Sequence, residues 1–312
     1  MRARRFAISA LVLAAALALP PAPALALGRL FPADNIWNTS VRGLPVHARS
    51  TAYVDSIGAG EGLHPDFGSG LWEGRAIGFP WNEVGAGQAK VNISFYYPGE
   101  SDPGPYPIPP GAAIEGGSDR HLLLVDHSTN QLYEVYDAQH NADGSWSAGS
   151  GAVWDLGSNA LRPAGWTSAD AAGLPLLPGL VRYEEVAAGY IGHALRFTVP
   201  DTSPDWVWPA RHQASDSGDS SLPPMGQRFR LKSGFDTAGF AAPVRVILEA
   251  LKEYGMMVAD NGGPWYISGA PDSRWNDDVL VNQLRQVPGS AFEAVDVSSL
   301  MINPDSAQAR QP

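Results

Sequence analysis

The sequence predicts a mainly β fold: a β-sandwich or jelly roll with a few peripheral helices. Three features predict it. Short runs with partial apolar alternation recur along the whole chain. The 34 glycines and 27 prolines place turn signals between them. Helical periodicity is confined to a few short stretches, and many strands with few helices favour sheet-on-sheet packing.

Taken in order, residues 1–26 read as a Sec signal peptide. Arg2, Arg4 and Arg5 precede an apolar run from Phe6 to Leu19, and Ala24-Leu25-Ala26 fits an A-x-A cleavage site. The run is too short for a comfortable membrane span. The expected product is secreted or periplasmic, with one globular domain over 27–303 and a disordered tail over 304–312. KVNISFYY (90–97), RHLLLVD (120–126), QLYEVYDA (131–138), HALRFTV (193–199), QRFRLK (227–232) and WYISG (265–269) read as strands. DHSTNQ (126–131) reads as a hairpin connection between two of them. Ser168 to Ala172, closed by Gly173, and Val181 to Ala188, closed by Gly189, read as short helices. From Pro243 to Tyr254 the apolar residues Val244, Ile247, Leu248 and Leu251 fall at i, i+3, i+4 and i+7, with Gly255 as the C′ residue. MMVAD then reads as a buried strand, and Asp277 to Val287 as a last helix before Pro288-Gly289.

Composition narrows the function. There is no cysteine, which excludes thiol catalysis and thiolate metal sites. Setting aside the three arginines of the leader leaves 18 basic residues against 32 acidic ones, a net charge of −14. That sign argues against nucleic acid as a partner and, less strongly, against a polyanionic polymer. No later apolar run is long enough to enter a membrane, and the mature chain is expected to be a monomer. The ten tryptophans sit mostly beside Gly, Pro, Asn or Asp. Such positions lie near loops and rims, where an indole offers an apolar face and a polar handle to a sugar.

Polar clusters lie in rigid Gly/Pro frames. Asp66 is in LHPDFGS, Asp102 in ESDPGPYPIPPG and Asp119, Arg120 and His121 in GGSDRH. His193 is in GHALRF, while Trp208, Arg211 and His212 are in WVWPARH, and Asp260 and Trp265 in VADNGGPWYISG. On a strand, His121 shares a face with Leu123 and Val125, and His193 one with Leu195 and Phe197. Glycoside hydrolysis needs two carboxylates, one of them held protonated. Asp119 and Asp260 are the first choices, with Asp66 and Asp102 in reserve and His121 and His212 tuning the acids. Trp208 and Trp265 would stack sugar rings; Arg120, Arg211 and His193 would hold substrate groups. Polysaccharide β-elimination would instead need a neutraliser for the uronate and a base, roles for which Arg120, Arg211, His121, His212 or Tyr106 could serve. A three-histidine metal site would need His121, His193 and His212 to converge, but no HxH or HExxH pair supports it, and no metal is assigned. No GxSxG, GxxxxGK[ST] or GxGxxG motif occurs, and no cofactor is required.

The motifs PADNIWN, LHPDFGS, SDPGPYPIP, GGSDRH, WTSADAAGLPLLPGLVRYEEV, VWPARH, PPMGQRFRLK and ADNGGPWYISG together resemble a family of secreted bacterial proteins. The resemblance spans about residues 31–300. It implies export and a single ancestral unit, and it transfers no catalytic role. The reading from the residues is therefore a secreted carbohydrate-active enzyme, most simply a glycoside hydrolase acting on a polysaccharide or oligosaccharide. The alternatives are a lectin-like glycan-binding protein and a polysaccharide lyase.

Overall fold

The computed structural model describes residues 27–312; the leader expected over 1–26 lies outside the described residues. In chain order the elements are α1 (Ser50–Ile57), β1 (His64–Asp66), β2 (Leu71–Trp72), β3 (Arg75–Ala76), β4 (Trp81–Val84), β5 (Ile93–Phe95), β6 (Leu122–Asp126), β7 (Gln131–Tyr136), β8 (Gln139–His140), β9 (Trp146–Ala148) and β10 (Ser150–Asp155). There follow α2 (Tyr183–Ala188), β11 (Leu195–Val199), β12 (Arg228–Leu231), α3 (Ala242–Glu253), β13 (Met256–Asn261), β14 (Tyr266–Ser268), α4 (Asp277–Leu284) and β15 (Phe292–Val295).

The strands form a six-stranded sheet in the order β1-β14-β11-β13-β12-β15, a four-stranded sheet β10-β7-β6-β4, a three-stranded sheet β5-β9-β8 and the hairpin β2-β3. The fold is mixed α/β, with no closed barrel among the described residues. It is strand-rich with short helices, as the sequence implies, but it departs from an antiparallel jelly roll. The pairs β1–β14, β11–β13, β4–β6 and β5–β9 run parallel. Parallel pairing needs long crossovers, and the chain supplies them: β12 and α3 lie between β11 and β13. Local patterning reveals a strand but not its partner.

The HLLLV segment joins two cores. Leu123 and Val125 enter the main core, which also contains Leu195, Phe197, Val199, Met256 and Val258 of the large sheet. Leu122 and Leu124 point the other way into a second core with Ile93, Tyr106 and Tyr133. Period-2 alternation thus makes β6 apolar on both faces, and the β6–β7 hairpin forms with Asp126 opposite Gln131. Helix α3 packs against β12 and α1 against β15. Gly255 follows α3 at φ 65°, where a Cβ would come within 2.1 Å of the Phe229 carbonyl oxygen; this is a C′ turn that only glycine fits.

Two expectations are corrected. Residues 168–172 are not helical: Ser168 Oγ instead accepts from the Asp170 N–H at 2.9 Å and donates to the Leu174 carbonyl at 2.5 Å. A serine whose hydroxyl bonds local backbone in this way competes with helix formation. The tail is not disordered. Arg211 Nη1 donates to the Pro304 carbonyl at 2.7 Å, Trp208 Nε1 donates to the Ser306 carbonyl at 2.8 Å, and Ala307 and Ala309 are buried. PADNIWN is its partner, with the Ile36 N–H donating to the Ala307 carbonyl at 2.8 Å. A small, polar tail carries no periodic signal, so sequence alone reads it as loose.

Glu134 of β7 is fully buried on the main-core face. It accepts from the Leu176 and Leu177 N–H groups and from Trp154 Nε1, at 2.9–3.1 Å. Burial pushes its carboxyl up to about 7, against the pull of these donors. All three partners are donors, so an amide would set its NH₂ against at least one of them. Glu134→Gln is expected to lose about 1–3 kcal/mol, read as a lower urea midpoint at unchanged m-value.

Candidate functional site

One face of the large sheet is polar at its centre. The register places His64 beside Tyr266, Asp66 beside Ser268, and Thr198 beside Tyr266. Arg196 lies on the same face as Thr198, and its Nη1 donates to Ser268 Oγ at 2.5 Å. Asp260 joins this face through an irregularity. Phe197 pairs with Val258, but Thr198 pairs with Asp260, so Ala259 is an extra residue in β13. Such a bulge re-aims the side chain that follows it. Here it turns Asp260 onto the face of Arg196 and Thr198.

At this face lies a cluster of buried charges. Arg196 Nε and Nη2 donate to the two oxygens of Asp170 at 3.0 and 2.9 Å, a bidentate pair. Phe79 packs against the guanidinium, with its ring centre 5.0 Å away, and also against the His121 ring. His121 is buried, with Nδ1 against Glu115 Oε2 and Nε2 3.0 Å from the Ala169 carbonyl. Both ring nitrogens face acceptors, which requires the imidazolium. Burial opposes that charge, but the bond to Glu115 and its negative charge raise the pKa overall. Burial likewise raises Asp170 against the pull of Arg196.

Two cations, Arg196 and His121, thus balance two anions, Asp170 and Glu115. Asp260 is the surplus acid. Burial, and then the negative charge of Asp170, push its carboxyl up to about 6. It is not sealed off: Asp260 and Asn261 are half-buried and line a cavity of about 580 Å³. Asp119, Tyr136, Tyr97 and His212 line the same cavity. His212 Nδ1 lies 3.0 Å from the Ala171 carbonyl, and its Nε2 is 4.0 Å from Glu100. Burial, and then Asp119 and Asp137, raise the Tyr136 phenol, so it stays a donor. Asp119 is exposed at the rim on a loop fixed by the Asp137 N–H, which donates to the Asp119 carbonyl at 2.7 Å.

Asp119, His212 and Asp260 therefore line one cavity, and His121 is buried behind it, bonded to the Ala169 carbonyl of its lining. Asp66 lies in an adjoining recess, described below. The other expected site residues lie elsewhere. Asp102 accepts from Arg162 Nη1 at 2.6 Å and from the Val153 N–H at 2.8 Å, a structural tie to β10. Arg120 is paired with Asp137. Arg211 is held by Asp305 and Pro304 and anchors the tail. His193 is buried between Glu185, at 3.1 Å, and the Ala194 carbonyl, so the three histidines do not converge. Trp208 lies in a different surface groove, with Arg211 and Val297. Trp265 is fully buried between Phe197 and Phe292, its ring stacked on both. It packs the core and cannot carry a sugar.

No family model, curated protein or solved structure matches this chain. The roles of its residues therefore rest on their geometry. Sequence reasoning missed Arg196, Asp170, Glu115 and Tyr136. Arg196 breaks the apolar run HALRF on the face opposite Leu195 and Phe197, and a charge inside a strand otherwise apolar was its visible signal.

The raised pKa of Asp260 has a consequence for stability. The folded protein holds this proton up to about pH 6, whereas the unfolded chain releases it near 3.9. Between these values the native state binds more protons, so stability falls as pH rises. Full ionisation costs up to about 3 kcal/mol. Urea unfolding at pH 4 and pH 7 should show this fall in the wild type and a smaller one in Asp260→Asn.

Proposed function

We propose that this protein is an exported glycoside hydrolase, with Asp260 as general acid and Asp119 as the second carboxylate. The observation that carries the reading is a surplus carboxyl, held near pKa 6 above a charge-balanced cluster and opening on a cavity with Asp119 on its rim. A general acid works best with its pKa near the working pH. In this reading Asp260 gives its proton to the glycosidic oxygen as the C–O bond breaks, and water supplies the new C–O bond at the anomeric carbon, returning a proton to the carboxylate pair. Asp119 faces the sugar as a carboxylate, and Tyr136 and Asn261 meet hydroxyls. Asp170 and Arg196 set the acidity of Asp260 through their charges.

The lyase alternative is the less favoured reading. Two of the residues it could use, Arg120 and Arg211, are each held by an aspartate outside the cavity. A lectin-like role would use the same cavity without turnover, but binding alone gives no reason for a buried, proton-holding acid. Export rests on the leader read in residues 1–26. No helix among the described residues is long and apolar enough to cross a membrane.

The test is reducing-end release across a panel of polysaccharides and oligosaccharides. Activity is expected to fall as pH rises above about 6, following the Asp260 ionisation. Asp260→Asn should lower kcat/KM by about 10²–10⁴-fold, and Asp119→Asn should also be impaired. Trp208→Phe, outside the cavity, should keep near-wild-type turnover. Glycan binding with no product, or wild-type turnover in Asp260→Asn, would reject the proposal.

A further inference from the structure

A second recess of about 550 Å³ adjoins the first, and Asp119 lines both. Its floor continues the same polar sheet face, with Asp66 on β1 and the half-buried His64 and Tyr266, whose rings stack at 3.9 Å. Its outer wall is Trp72 on the β2-β3 hairpin, 64 % exposed. An indole this exposed, on a wall facing a polar floor, is placed to cover a ring-shaped ligand.

The charges of the recess are one-sided. Among the described residues that line the two recesses there is no arginine or lysine. Two of the carboxylates have other duties: Glu115 holds His121, and Asp277 accepts from the Ser69 N–H at 2.8 Å. Asp66 and Asp119 have no cationic partner in contact. A further polar atom lacks a partner: Asn261 Nδ2 is buried without any hydrogen bond, while its residue lines the first cavity. A buried donor with no acceptor is costly.

We infer that the two recesses form one cleft, and that the recess of Asp66 and Trp72 is a subsite for an amine-bearing sugar unit of a longer glycan. This inference rests on the hydrolase reading of the first cavity. An ammonium group between Asp66 and Asp119 supplies the counter-charge that the lining lacks, and Trp72 adds a cation–π face. Two adjoining recesses also need a ligand of more than one sugar. A uronate unit would meet carboxylates with no arginine or lysine in the lining beside them.

Calorimetric titration at pH 7 with four tetramers separates the outcomes: glucosamine, N-acetylglucosamine, glucose and galacturonate. The glucosamine tetramer is expected to bind at least about tenfold more tightly than the others, the effect of one charge-assisted contact, and to weaken as salt rises. Asp66→Asn should erase that preference. Trp72→Ala, an exposed substitution that leaves the core untouched, should weaken all binding to this recess. Equal or tighter binding of the acetylated, neutral or acidic tetramer overturns the inference, as does a preference unchanged by Asp66→Asn. Failure of the hydrolase reading looks different: the glucosamine tetramer binds with its preference intact, but no reducing ends form.

Discussion

The bidentate pair of Arg196 and Asp170 is the constraint on which the site depends. Both groups are buried, and neither would be tolerated there alone, because an unpaired buried charge costs several kcal/mol. The pair joins the large sheet to the 168–174 turn, and Arg196 also reaches Ser268 on β14. With His121 and Glu115 beside it, the charge is neutralised in situ. A fifth ionisable group placed on this cluster has no counter-ion of its own. Asp260 is that group, so its proton is held by the arrangement around it and not by a single neighbour.

The sheet achieves this placement through one asymmetry. Leu195, Phe197 and Val199 carry the apolar face of β11 into the core, and Arg196 and Thr198 carry its polar face to the cleft. The bulge at Ala259 keeps β13 in step with that division. Without the extra residue, strict alternation would put Ala259 opposite Thr198 and turn Asp260 towards the apolar side. Ala259 is used in turn, since its carbonyl accepts from the Ala172 N–H at 3.0 Å and ties the 168–174 turn to the strand. The backbone irregularity that aims the acid thus also fixes the segment that presents Asp170.

Much of this was legible in the sequence, and what was not has physical reasons. Strand positions, the α3 stripe with its Gly255 cap and the two faces of β6 follow from local periodicity. Asp119, His212 and Asp260 were singled out because rigid Gly/Pro frames surround them, and they do share a cavity. The same argument failed for Asp102, Arg120 and Arg211. Rigid frames also serve polar residues that tie loops together, and the partners Arg162, Asp137 and Asp305 lie 60, 17 and 94 positions away. Trp265 was misjudged because its Gly/Pro flank suggests a rim. In fact its Nε1 is satisfied by the Gly58 carbonyl at 2.9 Å, and that frees the indole to sit wholly in the core.

The acidic balance of the chain takes on a local meaning at the cleft. A net negative charge alone says only which partners are repelled at a distance. In this protein most arginines near the centre are committed to specific anions or carbonyls: Arg196 to Asp170, Arg162 to Asp102, Arg182 to Glu185 and Arg230 to Glu293. Even Arg228, buried without an acidic partner in contact, donates to the Tyr254 and Ile36 carbonyls and is thereby drawn into the backbone. These arginines hold the fold, while Asp66, Asp119 and Asp260, which line the two recesses, have no arginine or lysine in contact. The one-sided charge of the cleft is therefore a result of how the core is built. Any ligand that settles there must bring hydroxyls or positive charge of its own.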